Sequence, residues 1–212
     1  MAVFRLDRAG WPFVGGAVLV AVVLGVTNSP WLLVALCLLA AVFFAFFFRD
    51  PDRVVRAGPD DVVAPADGRI LVAGPAVEGA APEGRWQQIS IFLSPTDVHV
   101  NRVPVSGRVT HVAFTPGRFL PAYRHEAATQ NERSEIWIDH GGQAIVARQV
   151  VGILARRVVC RLQPGAHVRA GDRYGIMKFG SRMDVFLPPS AVLRVEVGDM
   201  VRAGETLMAV LH

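Results

Sequence analysis

The stretch PGAHVRAGDRYGIM, Pro164 to Met177, returns near the end of the chain as VGDMVRAGETLMAV, Val197 to Val210. Both carry a glycine, two residues, Val-Arg-Ala-Gly, an acidic residue and then an apolar run. Such a repeat reads as two similar strand-turn-strand units packed in one β barrel. The surrounding sequence has the same texture. GRILVA (Gly68 to Ala73), WQQISIFL (Trp86 to Leu93), GRVTHVAF (Gly107 to Phe114), EIWID (Glu135 to Asp139), AIVARQVVGILARRVVCRL (Ala144 to Leu162), MDVFL (Met183 to Leu187) and VLRVEV (Val192 to Val197) are β-like runs separated by Gly and Pro. Their β-branched residues, partial period-two alternation and turn signals roughly every ten residues predict an all-β barrel or sandwich. No long helical periodicity follows Arg56.

The repeated units resemble the turns of lipoyl/biotinyl-type barrel-sandwich domains, a likeness of shape that says nothing about chemistry. Lys178, the single lysine, faintly resembles a carrier lysine in IMKFG. Carriers hold that lysine at an exposed hairpin tip, whereas this one lies in an alternating strand pattern, so an outward strand lysine is expected.

Working toward the N-terminus, the character changes. The apolar fraction of 52% in 212 residues is high for a soluble protein, and the excess sits at the front. From Ala9 to Phe48 no residue is charged, and only Thr27 to Pro30 interrupts the run. A spanning helix needs about 20 apolar residues, with ~17 as the practical minimum. The second segment (31–48) meets that length and the first (11–26) is borderline. Trp11 and Trp31 stand where interfacial aromatics are expected, and a second long apolar segment argues against a cleaved signal peptide. Arg5 and Arg8 precede the pair, and Arg49, Arg53 and Arg56 follow it. The expectation is a membrane-anchoring helical hairpin over 1–56 and a β-rich domain over 57–212, both chain ends and that domain lying on the cytoplasmic side of the cell membrane.

The net charge of +4 is diffuse, with no basic run interleaved with aromatics, which excludes a nucleic-acid strip. Arginines beside a membrane helix suit anionic lipid head groups. Cys37 and Cys160 lack the partners that a disulfide or a metal site would need.

Three segments stand out for chemistry. Gly180-Ser181 is by default a turn, the Gly supplying positive φ and the Ser bonding its own backbone. FLSPTDVHVNRVPVSGRV, Phe92 to Val109, places His99 between valines with Asp97 two residues before it; such a histidine is by default structural. VVAPADGRI, Val62 to Ile70, contains Asp67-Gly68, by default a hairpin turn.

Together and in this order they resemble the phosphatidylserine decarboxylase family in its short membrane-anchored form. The resemblance spans FFRDP, APADG, FLSPTDVHVNRVP, NER (Asn131 to Arg133) and VRAGDRYGIMKFGSRMDVFLP. It implies a proenzyme that cleaves itself between Gly180 and Ser181, giving chains Met1 to Gly180 and Ser181 to His212 that stay together as a heterodimer. Ser181 becomes an N-terminal pyruvoyl group, the only cofactor implied, with no metal and no pyridoxal phosphate. Its carbonyl forms an imine with the serine amine of phosphatidylserine in the bilayer, and the products are phosphatidylethanolamine and carbon dioxide. His99 matches a family catalytic histidine, and Asp67 the aspartate that works with histidine and serine in self-cleavage. Longer members carry a second histidine where this chain has Arg102. His99 thus serves cleavage, decarboxylation or both, with His111, His125 and His140 as substitutes or structural residues. The resemblance is compatible with a higher oligomer of that heterodimer.

Rival readings are a membrane-anchored β adaptor or carrier with no chemistry at Ser181, and a soluble pyruvoyl amino-acid decarboxylase, which has no need of a hairpin. A metallopeptidase suggested by APADG fails, because the residue two after His99 is Asn101 and the HxH metal pair is missing.

Overall fold

The computed structural model describes residues 5–77, 79–124, 126–153, 158–178 and 181–212. Two compact units divide the chain, Met1–Asp52 and Arg53–His212.

The first unit contains α1 (Trp11–Val26) and α2 (Trp31–Phe47). A 3-10 turn over Arg8–Gly10, capped by Asp7 accepting from Ala9 N at 2.9 Å, prolongs α1. Arg8–Val26 is thus a 19-residue helix long and apolar enough to cross a membrane, whereas α2 stops at Phe47 as a shorter apolar helix. This reverses the expected ranking of the two segments. Buried Ala21 and Ala41 let helix backbones approach, and Phe13 stacks between Phe44 and Phe48 at ring separations of 5.4 and 5.2 Å.

The second unit is mainly β, as expected. Its strands are β1 (Asp61–Val63), β2 (Gly68–Pro75), β3 (Gln87–Leu93), β4 (Val100–Arg102), β5 (Gly107–Thr115), β6 (Arg133–His140), β7 (Gln143–Val150), β8 (Val158–Cys160), β9 (His167–Val168), β10 (Arg173–Met177), β11 (Ser181–Leu187), β12 (Val192–Leu193), β13 (Met200–Val201) and β14 (Leu207–Val210). A single helical turn, α3 (Ala127–Gln130), interrupts them. An eight-stranded antiparallel sheet runs β13-β2-β3-β11-β7-β6-β5-β9, beside two three-stranded sheets, β1-β14-β12 and β4-β10-β8.

The repeated Val-Arg-Ala-Gly units close the two edges of the large sheet. Gly198 N donates to Ile70 O and Ile70 N to Asp199 O; in the other half Gly165 N donates to Val109 O and Val109 N to Ala166 O. The register shifts between Ile70 and Val72 and between Val109 and His111, so both edge regions are bulged and the sheet curls. Gly68 and Gly107 are required by close approach: an added Cβ would lie 2.1 Å from Phe92 O and 2.4 Å from Asp139 O respectively.

Several sequence expectations need correction. Asp67-Gly68 is not a hairpin turn, because β1 pairs with β14 while β2 pairs with β3 and β13. The run 144–162 divides into β7 and β8. In VLRVEV only Val192–Leu193 is strand, because Asp199 turns the chain at Glu196, its carboxylate accepting from Glu196 N at 2.8 Å. The two-residue strands β9 and β13 are too short to leave a periodic signal.

Candidate active site

Ser181 is the first residue of β11, a strand buried on both faces near the middle of the large sheet. Met183, Val185 and Leu187 share its face and enter the apolar core. The opposite face is polar. Arg182 Nε donates to Asp184 Oδ1 at 2.6 Å and Arg182 Nη2 to Ser90 Oγ at 2.9 Å, where Gln88 Nε2 also donates at 3.0 Å. A one-residue slip would drive Arg182 and Asp184 into the core, so the alternation in SRMDVFL holds the register of Ser181.

Two connections between sheets flank the candidate residues. β3 leads to β4 through residues 94–99, and β10 leads to β11 through 178–180. The first leads from the large sheet to the β4-β10-β8 sheet, and the second returns the chain from that sheet to the large one. At one end Ser181 pairs with Leu93; at the other Val100 pairs with Ile176, and Met177 N donates to His99 O at 3.2 Å. Ser181 thus lies against the last residue of β3, and His99, just before β4, lies against the last residue of β10. Gly180 and Phe179 lie outside the described residues, as does His125.

His99 is fully buried, its ring Nδ1 2.9 Å from Asp97 O. A carbonyl only accepts, so Nδ1 carries the proton and the in-plane lone pair of the neutral ring is on Nε2. Asp97 in turn accepts from Ser94 N at 2.7 Å, which shapes the loop carrying the histidine.

The Ser181 hydroxyl is fully buried and its Oγ has no hydrogen-bond partner among the described residues. Ser181 itself starts a strand, and among the described residues its hydroxyl does not bond its own backbone; the Gly180 half of the expected turn lies outside them.

Asp67 sits just before Gly68, which touches the Phe92 carbonyl, so it lies at the same end of the sheet as Ser181 but two strands away, about 10 Å at ordinary strand spacing. Its Oδ2 accepts from Arg53 Nη2 at 2.7 Å and its Oδ1 from Ala203 N at 2.8 Å. Arg53 Nη1 continues to Glu205 Oε2 at 3.1 Å.

Arg102, at the position where the resemblance implies a second histidine in longer members, is buried and donates through Nη1 to Gly171 O at 2.9 Å. A guanidinium has no lone pair to offer, so it cannot act as a base there. Of the suggested substitutes that are described, His111 is exposed on β5, and His140 sits with Nδ1 2.7 Å from Ser106 O. Lys178 follows β10 instead of lying within the strand and is half-buried.

Burial perturbs two groups, one on β10 and one on β8. Burial pushes the Tyr174 phenol well above its ordinary value, so it stays protonated and donates to Met183 Sδ at 3.7 Å. Burial also raises the Cys160 thiol, leaving it a poor nucleophile. Cys160 pairs with Gly175 of β10.

Sequence reading missed the buried amides Asn101 and Gln149 and the structural role of Asn131. Asn131 is fully buried; its Nδ2 donates to Leu120 O and Val151 O, each at 2.8 Å, and its Oδ1 accepts from Leu120 N at 2.9 Å. The available signal was its place in NER and, for Asn101, its spacing two residues after His99. No group of three or more His, Cys, Asp or Glu placed to hold a metal occurs among the described residues.

A family model described as phosphatidylserine decarboxylase matches residues 40–209. The chain is 40% identical over 208 residues to a phosphatidylserine decarboxylase proenzyme of Nitrosomonas europaea, covering 98% of this chain and 95% of the relative. A proenzyme of that name from Pelodictyon phaeoclathratiforme is 46% identical over 171 residues, 81% and 80% of the two chains. One from Geobacter metallireducens is 41% identical over 207 residues, 95% and 94%. Identity of this level over nearly the full length leaves a single assignment: the chain belongs to the phosphatidylserine decarboxylase family and is a decarboxylase, a carboxy-lyase.

Proposed function

We propose that the chain is a self-processing, pyruvoyl-dependent enzyme that converts phosphatidylserine to phosphatidylethanolamine and carbon dioxide. The observation that carries this reading is the buried Ser181 hydroxyl without a partner among the described residues. Such a group costs about 1–3 kcal/mol if it only fills space. It suits a nucleophile that is consumed in making the prosthetic group.

In self-cleavage the Ser181 hydroxyl oxygen adds to the carbonyl carbon of Gly180, the peptide C–N bond breaks, and an ester remains. His99 takes the hydroxyl proton through Nε2 and returns it to the departing nitrogen of residue 181, which becomes a free amine. Loss of the Cα proton of residue 181 then expels the Gly180 carboxylate and leaves a dehydroalanine end. Its hydrolysis takes up water, releases ammonia and yields the ketone. Asp67, held by Arg53 and by Ala203 N, fixes the strand end beside this step. The pyruvoyl group supplies a carbonyl for the substrate amine and an electron sink when the carboxylate is lost. Around it, Leu93, Met183 and Tyr174 exclude water, which favours departure of a charged carboxylate as neutral carbon dioxide.

The remaining assignments follow the same reading. Residues 1–56 anchor the enzyme to its lipid substrate, supported by the apolar Arg8–Val26 helix, and 57–212 form the catalytic domain. Arginines flanking both ends of the apolar pair support a cytoplasmic catalytic domain. A barrel-sandwich with lipoyl-like units is supported by the matching edge hydrogen bonds of the two repeats. The cleavage chains stay together as a heterodimer because β11 is central in the sheet.

A denaturing intact-mass spectrum tests the proposal. Two chains parted at Gly180-Ser181 are expected, the smaller lighter by conversion of its amine to a ketone, together with decarboxylation of phosphatidylserine in vesicles. One full-length chain without activity would overturn it in favour of a membrane-anchored β module.

A further inference from the structure

We infer that Asn101 and Gln149 form a neutral amide pair that receives the amino-acid end of the lipid head group, an N–H for its carboxylate and a C=O for its ammonium. This rests on the decarboxylase reading above and adds the groups that select the head group.

Asn101 is 0% and Gln149 1% exposed. Gln149 Nε2 donates to Asn101 Oδ1 at 2.8 Å, while Asn101 Nδ2 and Gln149 Oε1 have no hydrogen-bond partner among the described residues. Turning both amides over exchanges the roles but still leaves one NH2 and one carbonyl unsatisfied. Buried and unmet, each costs about 1–3 kcal/mol.

Their position is the second observation. Gln149 pairs with Met183 and so shares the face of Ser181, as its diagonal neighbour at roughly 7–8 Å. Asn101 follows His99 by two residues and pairs with Gly175. Gly175 keeps the space open, since an added Cβ would lie 2.8 Å from Gln149 Nε2. One buried donor and one buried acceptor beside the reactive serine match a group bearing both a carboxylate and an ammonium. Neutral amides also suit the reaction: a guanidinium clamp would stabilise the carboxylate charge that has to disappear, whereas an amide orients it at little cost to the barrier.

The test uses the full chain in detergent micelles. The probe is a short-chain glycerophospholipid of 3-hydroxypropionate, which has the carboxylate but no amine and so cannot react. In Asn101→Leu/Gln149→Met both amides become apolar groups of similar size, a change close to neutral for folding. Calorimetric affinity for the probe should fall about tenfold or more, with the self-cleavage mass pattern unchanged. Wild-type affinity, or loss of self-cleavage in a chain that still melts cooperatively, would overturn the inference. Should that variant not fold, Asn101→Asp decides: a similar drop supports the inference and unchanged binding overturns it. Because the probe has no amine, a wild-type chain that binds it through Asn101 yet never decarboxylates would refute the enzyme reading and leave this site standing.

Discussion

Asp67 and Ser106 hold equivalent places in the two halves of the β domain: the Asp67 carboxylate accepts from Ala203 N at 2.8 Å, and the Ser106 hydroxyl accepts from Ala170 N at 3.0 Å. Each side chain caps the Val-Arg-Ala-Gly turn that closes its own edge of the sheet. Capping therefore needs only one oxygen. What a carboxylate adds at position 67 is the second oxygen, and Arg53 holds it.

Asp67→Ser should keep the cap and lose the ion pair. A destabilisation of about 1–3 kcal/mol is expected from a charge-assisted bond between side chains only 10% and 14% exposed. Self-cleavage should slow as well, whereas Ser106→Ala should cost about 1 kcal/mol and leave cleavage intact. Thermal melts and an intact-mass time course separate the two; equal cleavage in both variants would reduce Asp67 to a structural cap.

Ser181→Ala should remain one chain of full mass with no decarboxylase activity. His99→Ala should slow cleavage, turnover or both by about 10²–10⁴-fold, the usual weight of a general base. Wild-type rates in both assays would remove His99 from the site.

Gly175→Ala should be poorly tolerated. The new methyl would stand 2.3 Å from Val159 O, so β10 has to move away from β8. A loss of about 1–3 kcal/mol follows from overpacking, and cleavage should fall because β10 ends only four residues before Ser181. Unchanged melting would contradict the tight packing described.

Asn131→Ala removes three hydrogen bonds from a fully buried amide. At about 1 kcal/mol each, roughly 3 kcal/mol should be lost. Limited proteolysis between residues 116 and 124 reports it: faster cutting there is expected, and an unaltered digestion pattern would mean that other contacts hold the loop.

Alkaline pH should destabilise the β domain. The unfolded chain releases the Cys160 and Tyr174 protons near their ordinary values of 9.0 and 10.0, but burial raises both in the folded chain. Their contribution is therefore complete below about pH 9 and is lost as pH climbs through the raised folded values. Cys160→Ala/Tyr174→Phe should flatten the melting temperature over that range; an unchanged slope would assign the alkaline loss to other groups.

Residue order alone determined the β character of Arg53–His212, the apolar front and the family, because these depend on local composition, short-range alternation and long contiguous blocks such as FLSPTDVHVNRVP and RYGIMKFGSRMDVFLP. Ser181 and His99 were legible as members of those blocks. Tertiary structure alone decided which strands they lie against. Ser181 lies against Leu93 of β3 and His99 against Met177 of β10, the Arg53–Asp67 pair joins the start of the β domain to an edge turn, and Asn101 reaches Gln149 from a different sheet. These contacts join residues far apart in the chain, where neither helical nor strand periodicity carries information. The same holds for the two-residue strands β9 and β13: each exists only because a distant edge, β5 or β2, offers unpaired backbone groups for it to satisfy.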